Sequence, residues 1–138
     1  MWHAQSEIIS IADACLGGLR GRSALIIGSE EARQPYKRLL QEAGMKNVFQ
    51  EENYRRVPIL LPQVQLLMNL PAPCSPVPLL TAATIAEGCI GRHTPLLIFD
   101  LAPSTSVEEL AGLLPSVCLY TPSDLRHVLY LDTGAQIA

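Results

Sequence analysis

The sequence predicts an α/β fold, a doubly wound parallel sheet of about five strands in a three-layer αβα arrangement. Three observations predict it. Short continuous apolar runs, Ser23 to Gly28 and Pro95 to Asp100, read as strands covered on both faces. Stretches with apolar residues at helical spacing separate such runs. A chain of 138 residues with 49% hydrophobic content holds one core of useful size and not two. Residues 1–138 are therefore expected to form a single domain.

The elements follow in order. Ser6 to Gly17 carries Ile8, Ile9, Ala12, Cys15 and Leu16 on one helical stripe, with Gly17 and Gly18 as its stop. The strand Ser23 to Gly28 comes next. Tyr36 to Gly44 puts Leu39, Leu40 and Ala43 on one side and Gly44 at the C-terminal cap position. A proline beyond the first turn removes a backbone bond and clashes with the turn before it, so Pro35 moves the expected helix start to near Gln34. Asn47 to Gln50 is a brief second strand and Val64 to Leu70 a third. Between them "NYRRVPILLPQ" contains two prolines and leaves room for a stunted helix at most.

Thr81 to Ile90 reads as a helix capped by Thr81, and Pro95 to Asp100 as a fourth strand ending in a carboxylate. "TSVEELAGLL" holds overlapping capping boxes, Thr105 with Glu108 and Ser106 with Glu109, which mark a helix start. "SVCLYT" is the fifth strand. "TPSDLRHVLYL" opens a last helix with Thr121 as N-cap and Pro122 at the first helical position, and the tail DTGAQIA frays or docks on a partner. Strands alternating with helices require right-handed crossovers between parallel strands, which is a Rossmann-like architecture. The Pro-rich piece "LPAPCSPVPLL" is expected as an ordered loop at the carboxyl ends of the strands, where such sheets bind ligands.

Composition narrows the function. A net charge of -3 supplies no clustered basic surface, so no nucleic-acid partner is expected. No apolar run approaches the roughly 20 residues that span a bilayer, and MWHAQSEIIS lacks the features of a leader. A soluble cytoplasmic protein without membrane contact is expected. Cys15, Cys74, Cys89 and Cys118 form no CxxC pair and have no histidine at ligand spacing, so they read as buried free thiols with no metal site. His3, His93 and His127 stand outside any nucleophile motif and read as surface residues. No catalytic residue is assigned.

The turn after the first strand carries the main functional signal. A dinucleotide fold needs small residues at the tight turn, at the approach to the pyrophosphate, and between helix and strand. Against GxGxxG the chain gives Gly28, Ser29, Glu30, Glu31, Ala32 and Arg33, so only the first glycine remains. Glu30 brings bulk and negative charge toward the phosphates. At about 4 Å and an effective dielectric near 20, one like-charge pair costs about 4 kcal/mol. A helix N-terminus offers an anion only about 0.3 to 2 kcal/mol. The ordinary binding pose is disfavoured, although Arg33 could supply a compensating charge. Glu51 and Glu52 lie about 23 residues after Gly28, near the distance at which an acidic residue holds a ribose 2′-hydroxyl, which suits NAD better than NADP. The alternative for these two is a solvated charged loop, "QEENYRR".

With these elements placed, the chain resembles the nucleotide-binding domain of glutamyl-tRNA reductase, which opens tetrapyrrole synthesis. "GLRGRSALIIGSEE" is similar to that family's turn and GAGEMG strand-turn, with Gly28 and Glu31 on its first Gly and its Glu. The resemblance runs over nearly the whole chain: "PVPLLTAATIAEGCIGRHTPLLIFDLAPSTSVEELAGLLPSVCLYTPSDLRHVL" resembles the segment built around IDxAxPRDxxP and VxLYxxDDL, and Asp100, Ala102, Pro103, Leu119, Tyr120, Asp124 and Leu125 fall on matching positions. The departures gather where chemistry would be. GAGEMG has become GSEEAR; Glu51 and Glu52 replace an Asn-Arg, Leu70 and Pro71 replace a Thr-Gly, and the PRD triplet reads Pro103, Ser104, Thr105. The resemblance implies that the family's thioester-forming cysteine lies in a separate N-terminal domain and its dimer contact in a C-terminal helical domain, neither of which fits in this chain.

Three functions follow as expectations. The first is a stand-alone, non-catalytic binding or regulatory module of tetrapyrrole metabolism, self-associating or bound to a partner protein of that metabolism. The second is an oxidoreductase domain that takes NAD(P) in an altered pose beside a partner subunit. The third is a small-molecule sensor with its pocket under "LPAPCSPVP". The residues that would line a cofactor site are Gly28, Ser29, Glu30, Glu31, Arg33, Glu51, Glu52, Leu70, Pro71, Asp100, Ala102 and Pro103.

Overall fold

The computed structural model describes residues 4–70, 80–102 and 106–127. Helix α1 (Ala4–Leu16) leads to strand β1 (Ser23–Ile27), and helix α2 (Glu30–Glu42) to β2 (Asn47–Glu51). A short α3 (Val57–Leu60) continues into a 3₁₀ turn, Leu61–Gln63, before β3 (Leu66–Asn69). Helix α4 (Ala82–Gly88), β4 (Leu96–Asp100), a 3₁₀ turn Glu109–Leu113 and β5 (Val117–Tyr120) complete the order. Residues 122–127 are again helical. The five strands form one parallel sheet in the order β2-β1-β3-β4-β5.

Alternation along the strands builds two cores. Ala24 and Ile26 of β1, Leu66 and Met68 of β3, and Leu97 and Phe99 of β4 meet Ile8, Ala12 and Leu16 of α1 and Tyr36 and Leu40 of α2. Leu25, Ile27, Leu67, Leu96 and Ile98 point the other way, onto Val57, Leu60 and Leu61 around α3 and onto Ile85 of α4. The three central strands are buried throughout, whereas β2 and β5 are the partly exposed outer strands. That explains why the central runs read as continuously apolar.

Four expectations change. Helix α2 starts at Glu30, a turn before Gln34, and carries Pro35 inside it. The Ser29 side chain caps it by accepting from the Ala32 amide at 3.2 Å. The partner that Pro35 lacks an N–H to reach is the carbonyl of Glu31, an exposed first-turn residue that water can serve. Burial of Tyr36 and Leu40 offsets the remaining cost of about 3 kcal/mol or less.

The helix expected from the capping boxes is only the 3₁₀ turn Glu109–Leu113. Val107 is held in an isolated parallel bridge to Leu80, and the Glu108 carboxylate accepts from the Ala82 amide at 2.7 Å, capping α4 instead of its own segment. Thr105 lies outside the described residues. Cys15 and Cys118 are exposed and Cys89 is half-buried, which corrects the expectation of buried thiols; Cys74 lies outside the described residues. The third strand is shorter than expected, because Val64 and Gln65 still belong to the turn out of Leu61–Gln63.

The second crossover is stunted, as its prolines require, and it packs tightly. A Cβ added to Gly88 at the end of α4 would meet Leu61 Cβ at 2.7 Å and Cδ2 at 2.8 Å. Gly88→Ala is therefore expected to destabilise the chain by about 1 to 3 kcal/mol through overpacking, read as a lower urea midpoint at unchanged slope.

Candidate functional site

In the order β2-β1-β3-β4-β5 the chain leaves β1 toward α2 on one face of the sheet and reaches β3 through α3 on the other. The crevice at the carboxyl ends of β1 and β3 is thus the topological switch point, where open α/β sheets take ligands. Gly28, Ser29, Glu30, Glu31 and Arg33 after β1, Glu51 and Glu52 at β2, Leu70 after β3, and Asp100 and Ala102 at β4 are all brought to this edge. Pro71 and Pro103 lie outside the described residues, as does most of "LPAPCSPVPLL".

Gly28 has φ 155°, a conformation that favours glycine, and its amide donates to the Glu51 carbonyl at 3.0 Å. Its own carbonyl accepts from Arg33 Nε at 2.9 Å, while Arg33 Nη1 donates to Gln50 Oε1 at 3.1 Å. Arg33 is only 8% exposed. The guanidinium is therefore folded into the seam between α2, β1 and β2, and not extended as a free countercharge for a phosphate. Glu30 and Glu31 stand exposed on the first turn of α2.

The acidic pair behaves differently from a ribose clamp. Glu51 Oε2 accepts from Arg56 Nη1 at 3.1 Å in an ion pair, and Glu52 is exposed in the loop that follows. Leu70 is buried, with its amide donating to the Ile27 carbonyl at 2.7 Å.

A buried polar network closes the far side of the crevice. Asp100 is fully buried, and its carboxylate accepts from Asn69 Nδ2 at 3.2 Å and from the amides of Ala102 at 3.3 Å, Ser106 at 2.8 Å and Val107 at 2.9 Å. Asn69 Oδ1 in turn accepts from the Tyr54 hydroxyl at 2.8 Å. Tyr54 follows β2 and Asn69 ends β3, with β1 between them. Strands lie about 4.8 Å apart, so this side chain crosses the carboxyl end of β1. Burial pushes the Tyr54 phenol up, more than the Asn69 bond lowers it, and it stays a donor. Tyr54, Asn69 and Gln50 were missed in the sequence; the one available signal was a polar Asn closing the apolar run "LLMN".

Several groups at this edge differ from the small-residue turn of a dinucleotide fold. Ser29 Oγ takes the Ala32 amide at the helix start, Glu30 stands exposed where the motif has a small residue, Arg33 fills the position where helix and strand need a small residue, and the Tyr54 hydroxyl donates to Asn69 at the end of β3. Among the described residues no group of three or more His, Cys, Asp or Glu is gathered as for a metal ion. No described helix is long and apolar enough to cross a membrane.

Fold and edge together define a Rossmann-like nucleotide-fold domain. No family model matches the chain. It is 31% identical over 140 residues to glutamyl-tRNA reductase of Alkalilimnicola ehrlichii, covering 88% of this chain and 31% of that protein. To glutamyl-tRNA reductase of Methanospirillum hungatei it is 28% identical over 146 residues, 89% of this chain and 34% of that one. Among solved structures, glutamyl-tRNA reductase from Methanopyrus kandleri superposes with a TM-score of 0.79 at 19% identity, over 96% of this chain and 38% of that chain. A dipicolinate synthase component from Bacillus halodurans gives 0.66 at 14%, over 97% and 53%. The chain is a Rossmann-like domain related to glutamyl-tRNA reductase. It spans about a third of the length of the curated relatives it matches.

The Asp100 clamp is open to test. Asp100→Asn turns an acceptor toward Ser106 and Val107 into a group with two donors of its own. It is expected to cost about 1 to 3 kcal/mol or more and to release the Ser106 and Val107 amides to hydrogen exchange before the strands open.

Proposed function

We propose that this chain is a non-catalytic binding or regulatory module of tetrapyrrole metabolism, a single Rossmann-like domain over residues 1–138 whose nucleotide crevice is filled by its own side chains. The observation that carries this reading is the pair of contacts that tie down the carboxyl end of β1, Arg33 on the Gly28 carbonyl in the seam with β2 and Tyr54 on Asn69 at the end of β3. The likeness to glutamyl-tRNA reductase, a haem-pathway enzyme, supports the pathway. A second reading, an NAD(P)-dependent oxidoreductase domain acting beside a partner subunit, draws support from one feature. Helix α2 begins directly after Gly28 and Ser29, so its N-terminus stands at the usual phosphate position.

Thermal unfolding with millimolar NAD, NADH, NADP and NADPH separates the two. A ligand at about 100 times its dissociation constant stabilises by about 2.7 kcal/mol, a rise on the order of 10 °C for a domain of this size. No rise is expected with any of the four, and a clear rise with one selects the oxidoreductase. In Glu30→Gly/Arg33→Gly some affinity should appear; a folded variant without any refutes the assignment of the turn.

The module is proposed to work through self-association. Ile59 at 64%, Ile90 at 81%, Leu110 at 58% and Leu113 at 79% exposure all sit on the α3–α4 layer. Leu110 and Leu113 lie three apart on a 3₁₀ turn and so share a face. Apolar patches of this kind are seldom left in water. Sedimentation should give a dimer or larger that Leu113→Glu dissociates. A monomer at high micromolar concentration would transfer the role to a different protein of the pathway.

A further inference from the structure

The outer strand β5 carries a cluster that the crevice does not use. Cys118 and Tyr120 are alternate residues of one strand, so both side chains leave the sheet on the same face. Pairing of Cys118 with Leu97 and of Tyr120 with Phe99 identifies that face as the side of α1. The Tyr120 ring meets Phe99 edge-on with centroids 5.3 Å apart. Its hydroxyl reaches Cys15 Sγ, in the last turn of α1, at 3.4 Å.

Helix α1 runs through a short link into the start of β1, which places its last turn at the amino edge of the sheet, the edge from which β5 also starts. Cys15 and Cys118 therefore lie on the same side of the sheet, both beside Tyr120, one through its hydroxyl and the other two residues before it along the strand. Both are exposed, Cys118 because β5 is an outer strand.

We propose that Cys15 and Cys118 are a thiol pair that closes reversibly to a disulfide between α1 and β5. Electrostatics agree with the geometry. Burial and the neighbouring Cys15 both push the Cys118 thiol up, in that order, so Cys118 lies within the field of Cys15. Tyr120 is pushed up to about 12, first by its hydrogen bond with Cys15 and then by burial. It therefore stays protonated and keeps a proton to share with the Cys15 sulfur. Cys89 packs against the opposite core and takes no part.

The oxidant is a low-molecular-weight disulfide. One protein thiolate attacks a sulfur of that disulfide, forming a mixed disulfide and releasing one small thiol. The second protein thiolate then attacks the protein-bound sulfur and releases the other small thiol, so two protein thiols are oxidised and one small disulfide is reduced. Closure requires the Tyr120 hydroxyl to surrender its bond to Cys15, a side-chain movement at an exposed seam.

The test uses the reduced full chain, treated with oxidised glutathione, quenched with iodoacetamide and digested without reductant. Of the four cysteines, Cys15 and Cys118 should lose their alkylation together and appear in one disulfide-linked peptide pair, with no glutathione retained and full reversal by dithiothreitol. Cys15→Ser should instead hold a lasting glutathione adduct on Cys118, and Cys118→Ser one on Cys15. The proposal is overturned if the wild-type chain keeps both residues alkylated, carries separate glutathione adducts on each, or links either one to Cys74 or Cys89.

Discussion

A guanidinium almost withdrawn from water must place its donors, and Arg33 places them on the Gly28 carbonyl and the Gln50 side chain. Hydrogen bonds from a charged donor contribute about 1.5 to 3 kcal/mol each in such settings. The arrangement of the nucleotide edge follows from them. The turn after β1 is tied down through its own carbonyl, α2 is held against β2, and the gap that a small residue would leave between helix and strand is filled. On the other side of β1, Tyr54 reaches Asn69, and Asn69 reaches Asp100. The carboxyl edge of the sheet is thus bound to itself from β2 to β4.

The two helical layers differ in the same sense. Helices α1 and α2 run 13 residues each, whereas α3 has 4 and α4 has 7. Pro58 and Pro62 sit in the first turns of α3 and of the 3₁₀ turn that follows, where proline is tolerated, but each disfavours helix in the residue before it, so the segment breaks into two short pieces. The short layer covers the sheet with a few large side chains and leaves others outward. One core thus has a complete helical layer over it and the other a truncated one.

Most of the fold was legible in the sequence because burial on both faces writes an unbroken apolar run, as in "ALII" and "LLIFD". Caps were legible where they are local. Thr121 caps as expected, the Asp124 amide donating to Thr121 Oγ1 at 3.1 Å, and the Thr121 amide donates in return to Asp124 Oδ2 at 3.0 Å. They misled where a distant element competed. Glu108 serves α4, and Asp100 holds Ser106 and Val107 extended, so the capping boxes before "ELAGLL" start no α-helix. The effect of Pro35 was overestimated because the missing bond falls at a solvated first turn. At the site, the substitutions in GSEEAR were visible, but the partners of Arg33 and Tyr54 were not. Those depend on which strands are neighbours, and local spacing carries no such information.

The central claim is that the domain's own side chains occupy the crevice a dinucleotide would need. Its most direct test is a ¹⁵N–¹H correlation spectrum of the labelled chain titrated with NADPH, following the amides of Gly28, Ser29, Glu30 and Ala32 together with Tyr54. The account predicts that these resonances stay in place to millimolar coenzyme. Saturable shifts of the turn amides, accompanied by movement of Tyr54, would contradict it.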